Sequence, residues 1–310
     1  MAHYYLWTIG CQMNRADSER LATYLDGLGY QAATSIETAD LVLLNSCVVR
    51  QSAEDRVTHQ LASLKALKAA NPNLAVGLTG CLVDSNISQL QKRFPHVDIF
   101  FGPQALGNLS EWLAARDVTI MASTRHPELV EGQTPHPTPT AFVPVIQGCD
   151  SFCTYCIVPF RRGRESSRPI AEIACEVKEL VRRGVKEVTL LGQKVDAYGH
   201  DLPDKPDLAD LLTELSAIDS LSRLRFLTSH PQHMTTRLIN TIARLNKVCE
   251  HINLPVQSGD DDILKAMRRE YTIQEYRELI ERIRSAIGGV ALSTDVIVGF
   301  PDETEEQFQH

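Results

Sequence analysis

FVPVIQGCDSFCTYC, residues 142–156, runs from a β-branched strand straight into a loop carrying Cys149, Cys153 and Cys156. It opens an alternation of short apolar runs and longer helical patterns. After the first strand at 142–146, strands are expected at 187–191, 223–228, 251–256 and 292–298, with helices such as 170–183 between them. Five βα units in a row predict an open, partial TIM-type (β/α) barrel. The chain stops at 304–310, where the helix after the fifth strand should begin. A barrel left there keeps an open edge, so a fragment with an incomplete barrel is expected.

The upstream half reads in the same way. Runs at 4–9, 40–45, 74–79 and 97–101 are strands, and 53–70 places Val57, Leu61, Leu64 and Leu67 at helical spacing, as Leu21, Leu25 and Leu28 are earlier. This alternation predicts an α/β domain with a parallel, Rossmann-like sheet covered by helices. Residues 118–140, rich in Thr, Pro, His and Gly without a period, read as a linker between a domain at 1–117 and one at 141–310. A chain of 310 residues also exceeds what one hydrophobic core usually serves.

No apolar run approaches the roughly 20 residues of a membrane helix, and the opening MAHYYLWTIG lacks the pattern of a signal peptide, so a cytoplasmic protein without membrane contact is expected. The net charge of −8 disfavours broad electrostatic capture of nucleic acid, and any RNA contact has to be local. Eight cysteines in a reducing compartment point to metal or redox chemistry rather than to disulfides.

Cys149, Cys153 and Cys156 form a CxxxCxxC triplet on one short loop. Three such thiolates can take three corners of a cubane cluster and leave the fourth iron without a protein ligand. A structural zinc site is the competing reading, but zinc usually closes its tetrahedron with paired CxxC elements, and no second pair lies nearby. Cys11, Cys47 and Cys81 each follow an expected strand of the first domain. The carboxyl ends of neighbouring parallel strands line one crevice, so these three are expected to meet and hold a second cluster, with Gly10 and Gly80 allowing close backbone approach. Cys175, inside a helix, and Cys249, ahead of a strand, are expected to be packing residues.

GCQMN at 10–14, CxVR at 47–50, GCDSFCTYCIVPFRRGRESSR at 148–168, LLGQKVDAYG at 190–199, RFLTSHP at 225–231 and LPVQSGDDDILKAMRREYT at 254–272 together resemble the methylthiotransferases of the radical S-adenosylmethionine (SAM) superfamily. The resemblance runs through essentially the whole chain and is strongest to members acting on dimethylallyladenosine in tRNA. It implies two [4Fe-4S] clusters and SAM as cofactors. Cys149, Cys153 and Cys156 would ligate the SAM-cleaving cluster and Cys11, Cys47 and Cys81 the auxiliary one, with Tyr155 beside the cofactor.

The implied reaction is methylthiolation of C2 of the modified adenosine next to the anticodon, with the tRNA anticodon loop and a reducing electron donor as partners and a monomer as the working form. Methylthiolation of threonylcarbamoyladenosine or of a ribosomal protein aspartate, and non-catalytic cluster binding, are the alternatives. Gln193, Ser229, Gln257 and the segment 294–303 stand at the carboxyl ends of expected strands, where SAM or substrate contacts compete with packing roles. Arg161, Arg162, Arg164 and Arg168 are expected to meet RNA phosphates or the SAM carboxylate, against the reading of a solvated basic loop. Asn253 stands where many relatives have His, and Asp302 where Gly is common, which is expected to disturb a tight turn. The small β-rich RNA-binding TRAM domain that ends family members has no counterpart in these residues.

Overall fold

A computed structural model describes residues 2–48, 51–83, 87–103, 105–115 and 139–310, with the backbone alone at Gln51. Arg50 and residues 118–138 of the expected linker lie outside the described residues. The chain divides into two compact units, Met1–Thr134 and Pro135–His310.

In the first unit β1 (His3–Thr8), α1 (Gln12–Gly27), β2 (Gln31–Ala32), β3 (Leu41–Ser46), α2 (Gln51–Ala70), β4 (Ala75–Gly80), α3 (Ile87–Arg93), β5 (Ile99–Phe100) and α4 (Leu106–Ala115) follow one another. The strands form one parallel sheet in the order β2-β1-β3-β4-β5. β3 and β4 are buried at every residue, as their unbroken runs LVLLNS and AVGLTG require of central strands covered on both faces. One face packs Val57, Leu61 and Leu64 of α2 against Val42, Leu44, Val76 and Leu78. The other packs Leu21 and Leu25 of α1 and Leu109 and Leu113 of α4 against Leu41, Leu43 and Ile99.

The second unit contains β6 (Thr140–Pro144), β7 (Ile146–Gln147), α5 (Val158–Arg162), β8 (Ser166–Ser167), α6 (Ile170–Arg182), β9 (Glu187–Leu191), α7 (Leu208–Ser216), β10 (Arg223–Phe226), α8 (Thr236–Arg244), β11 (His251–Asn253), α9 (Asp261–Ala266), α10 (Ile273–Ala286), β12 (Ala291–Ser293) and α11 (Glu305–Gln309). β6, β9 and β10 form one parallel sheet and β11 and β12 another. Backbone hydrogen bonds from Leu224 to Lys247 (2.7 Å), Cys249 to Leu224 (2.9 Å) and Ser229 to Asn253 (3.1 Å) carry the curve from β10 to β11. Its core is lined by Val143, Val188, Leu190, Leu224 and Ile252 and covered by Ile173, Val177, Leu211, Leu215, Leu238 and Ile283 from the helices.

Several strands end earlier than their apolar runs. β10 stops before Thr228, whose φ of 69° breaks the ladder, and β11 stops before Pro255, which has no amide hydrogen to donate. Cys175 is exposed, which corrects its reading as a packing residue. The buried stripe of α6 is Ile173, Ala174, Val177 and Val181, and position 175 lies off that stripe. The turn at Asp302 forms with the aspartate itself at a φ of 65°, so the residue accepts the conformation expected to need Gly.

Candidate active site

In the first unit, register sets the strand ends level: Thr8 pairs with Asn45, Asn45 with Thr79 and Ser46 with Gly80. Cys11 caps the start of α1, Cys47 follows β3 and Cys81 follows β4, so all three stand at the carboxyl edge of adjacent parallel strands. Cys47 and Cys81 are buried and Cys11 is exposed. The Cys81 amide donates to the Ser46 carbonyl at 2.8 Å. A Cβ on Gly80 would lie 2.3 Å from that carbonyl oxygen, and one on Gly10 would lie 2.9 Å from Cβ of Cys47, so both glycines are required by close approach.

A buried amide network lies directly beneath these loops, and sequence reasoning missed it. Asn14 Nδ2 donates to Asn45 Oδ1 (2.9 Å) and to the Ser46 carbonyl (2.8 Å), while Asn45 Nδ2 donates to the Asn14 carbonyl (2.8 Å) and to Ser18 Oγ (2.9 Å). The Cys11 thiol donates to Asn14 Oδ1 at 3.4 Å. Both asparagines carry full complements of partners at almost no exposure, as buried amides must. The asparagine of GCQMN was the available signal, because a polar residue three positions after a cysteine at a helix start is placed to face back to it.

In the second unit the loop from Gly148 to Glu165 leaves the barrel after β6 and is pinched at its base. β7 and β8 pair there in antiparallel fashion, Ile146 with Ser167 and Gln147 with Ser166, and the Cys149 amide donates to the Gly163 carbonyl at 3.1 Å. Asp150 accepts from Arg164 Nε (2.7 Å) and Nη2 (3.0 Å) and from the Glu165 amide (3.2 Å). Glu165 in turn accepts from the Asp150 amide at 3.1 Å and pairs with Lys194 at 2.9 Å, and Lys194 also donates to Ser151 Oγ at 3.1 Å. Further out, Thr154 is held by the carbonyls of Ala266 and Met267.

The three thiols of this loop are half-buried. Burial pushes the Cys156 thiol up, and the neighbouring Cys153 and Cys149 add to the shift, so the three sulfurs sense one another. Beside the loop base, the carboxylates of Asp150 and Glu165 and the imidazole of His200 bring ligand atoms within 4.8 Å of one another. Three thiols on one short loop suit a cubane cluster held at three corners, whereas zinc usually closes its tetrahedron with paired CxxC elements.

The strand ends β9 and β10 carry unpartnered buried oxygens: Gln193 Oε1, Asp196 Oδ1 and Ser229 Oγ. Gly192–Val195 and Thr228–His230 are laced together, by Val195 N–H to the Thr228 carbonyl (3.1 Å), Thr228 Oγ1 to the Gly192 carbonyl (2.9 Å) and His230 N–H to Asp196 Oδ2 (2.7 Å). Buried oxygens without protein partners call for a donor from a bound molecule, such as an ammonium or a ribose hydroxyl. That donor set fits SAM. Burial raises the Asp196 carboxyl to about 7, with Glu165 adding and Lys194 and the His230 amide opposing. Its burial depends on the loop folding over β10, which no local pattern announces.

Gln257 sits with a φ of 71° and both its backbone groups in bonds to the strap after β12, at 3.0 Å to Asp295 and 2.9 Å to Ile297. Tyr155 is partly exposed, its phenol pushed up by burial and drawn back by Arg269. Asn253 Nδ2 reaches Ser293 Oγ at 3.2 Å, and Thr294 Oγ1 accepts the Val256 amide at 2.9 Å, so both link β11 to β12. The arginines divide. Arg161 and Arg162 are half-buried at the end of α5, and Arg164 is tied to Asp150. Arg168 is committed to Glu172, Glu176 and the Pro144 carbonyl, which is a structural role in place of the expected phosphate contact.

Two family models match the chain, the radical SAM superfamily over residues 143–310 and uncharacterized protein family UPF0004 over residues 3–102. A tRNA-2-methylthio-N(6)-dimethylallyladenosine synthase of Dehalococcoides mccartyi is 54% identical over 308 residues, covering 99% of this chain and 70% of the relative. Proteins of the same name from Roseiflexus sp. and Dictyoglomus thermophilum are 51% and 46% identical, each covering 99% of this chain and 64% and 71% of their own lengths. Among solved structures, the radical SAM methyltransferase TsrM of Kitasatospora setae, with tryptophan and a SAM analogue bound, superposes at a TM-score of 0.68. It covers 99% of this chain and 69% of that chain at 14% identity, a likeness of fold. The cobalamin-dependent radical SAM enzyme OxsB superposes at 0.63 with 11% identity, over 96% of this chain and 49% of its own.

Proposed function

Since the chain belongs to the tRNA-2-methylthio-N(6)-dimethylallyladenosine synthase family of radical SAM enzymes, we propose that it installs a methylthio group on C2 of N(6)-dimethylallyladenosine next to the anticodon of tRNA. The observation that carries this reading is the pinched loop after β6, which presents Cys149, Cys153 and Cys156 together at the carboxyl end of the first barrel strand.

In this reading those three cysteines hold a [4Fe-4S] cluster with one iron open to SAM, and Cys11, Cys47 and Cys81 hold an auxiliary cluster in the first unit. When bound, the clusters and SAM supply the radical chemistry that C2 needs, since that carbon bears no acidic proton for ordinary base catalysis. The protein's part is placement. Gln193, Ser229 and Asp196 offer acceptor oxygens to the amino and hydroxyl groups of SAM, supported by their lack of protein partners. Asp196 also holds the amide of His230, the residue that follows Ser229, at 2.7 Å. Gln257, Tyr155 and Arg161 complete the proposed cofactor contacts, and the amide pair Asn14–Asn45 sets the height of the Cys11 and Cys47 loops.

We assign the domains to 1–117 and 141–310 around a linker. A cytoplasmic monomer served by a low-potential electron donor fits a tRNA substrate. Among the described residues no helix is long and apolar enough to cross a membrane.

The test is iron and sulfide content with electron paramagnetic resonance on anaerobically reconstituted chain, for wild type and a Cys149→Ala, Cys153→Ala, Cys156→Ala variant. About eight irons falling to about four supports two three-thiolate cubanes. About four irons in wild type, all lost in the variant, sinks the methylthiotransferase reading. Nucleoside mass spectrometry of tRNA incubated with SAM and reductant then identifies the product.

A further inference from the structure

The cysteine loop also carries apolar surface that the cluster does not account for. Eight large apolar side chains are exposed among the described residues, and four of them fall within this one loop: Tyr155, proposed above as a cofactor contact, and Phe152, Ile157 and Phe160, which that role leaves over. Phe160 is 70% exposed, and its ring meets that of Phe152 edge to face at 6.0 Å and 81°. Phe152 holds a φ of 46°, a conformation unusual for a bulky residue, so the backbone is bent to put this ring beside its partner. The adjoining segment 157–164 carries Arg161, Arg162 and Arg164 and no acidic residue of its own, Arg164 being paired with Asp150 from the start of the loop, in a chain whose net charge is −8.

Exposed aromatic rings beside a local run of arginine are what unpaired nucleic acid requires: a ring to stack each splayed base, and positive charge for the phosphates that flank it. A neutral apolar protein segment would match the rings and leave the arginines without an anion, whereas a nucleic acid supplies a phosphate beside every base. We infer that Phe160, braced by Phe152, is a stacking platform for an unpaired nucleobase of the RNA loop that enters the site. This rests on the tRNA reading and deepens it, since it names the surface that receives the loop. The platform lies on the cluster loop itself, so a base stacked there is held close to where the proposed cofactor is bound.

The test measures binding of a fluorescent anticodon stem-loop RNA to the reconstituted chain by anisotropy, for wild type, Phe160→Ala, Phe160→Leu and Phe160→Trp. Iron content and formation of 5′-deoxyadenosine from SAM without RNA are measured on the same wild-type preparation. Phe160 is exposed enough that none of these changes threatens folding. Stacking predicts that Ala and Leu both weaken binding, by about five- to a hundredfold, while Trp keeps or tightens it. Equal affinity for wild type and Phe160→Ala overturns the platform and leaves the tRNA reading standing. If Leu binds as well as wild type, the site is an apolar contact and stacking is refuted. No RNA binding by wild type overturns the platform as well, and the 5′-deoxyadenosine assay then reports separately on the radical reading. Loss of a concentration-dependent dimer in Phe160→Ala, with RNA affinity unchanged, would assign the rings to a second copy of the chain instead.

Discussion

Glu165 and Lys194 meet at 2.9 Å in the interior of the second unit, their side chains 3% and 9% exposed, and the same carboxylate oxygen takes the Asp150 amide. A cation from the turn after β9 is thereby locked to the base of the cysteine loop. Removing one member of such a pair strands a buried charge.

Glu165→Gln should therefore lower unfolding stability by about 3–5 kcal/mol, as should Lys194→Met. The double variant Glu165→Gln, Lys194→Met should recover a large part of that loss, because neither charge is then left alone. Urea unfolding of the four proteins checks it, and losses that simply add would show that the pair is not coupled.

Asp196 gives a pH signature. Its folded carboxyl titrates at about 7 against 3.8 for the free side chain, so burying the ionised form opposes folding. That cost is absent below the unfolded value, grows as pH rises toward 7 and is constant above it. Asp196→Asn keeps an acceptor for the His230 amide and removes the charge. Its stability advantage over wild type should be larger at pH 8 than at pH 5 by roughly 2–3 kcal/mol, measured by urea unfolding at both. A pH-independent difference would contradict the buried ionisation.

Asn14 connects the first unit's stability to the cluster site proposed at Cys11, Cys47 and Cys81. Asn14→Asp preserves shape but turns a donor into an oxygen facing Asn45 Oδ1 and the Ser46 carbonyl. A cost of about 2–3 kcal/mol is expected. On the proposed two-cluster reading, iron content should fall from about eight toward about four, with the signal of the Cys149 loop cluster retained in electron paramagnetic resonance. Equal loss of both signals would mean that the amide network is not specific to the Cys11, Cys47 and Cys81 site.

Asp302 tests the backbone alone. Exposed and at a φ of 65°, it should tolerate Gly with little change, whereas Asp302→Val should cost about 1–2 kcal/mol because a β-branched side chain crowds the left-handed conformation. Thermal unfolding of the two variants decides it.

What the residues announce in advance is periodic or local. The runs LVLLNS and AVGLTG read as central strands because they are apolar on both faces, and they are buried throughout. β2 went unread because its two residues, Gln31 and Ala32, are exposed and carry no pattern; the backbone bonds to Ala2 and Tyr4 make it a strand. Arg168 was misread although Glu172 and Glu176 follow it at one and two helical turns, spacing that could have flagged its ion pairs. The Glu165–Lys194 pair and the orphan oxygen of Asp196 depend on loops that meet only in three dimensions, and nothing in the chain's local order encodes that meeting.

The pinch between β7 and β8 bears on the life of the protein between encounters with iron. The bonds that close the base of the cysteine loop run between amides, carboxylates, an ammonium and a guanidinium, and none of them involves a sulfur. If the three thiols hold a cluster as proposed, its loss would leave the neck of the loop closed and the thiols tethered to it. On that reading, iron entering the site would meet a loop whose base is closed before any metal binds, so assembly of the centre would need no refolding of the barrel.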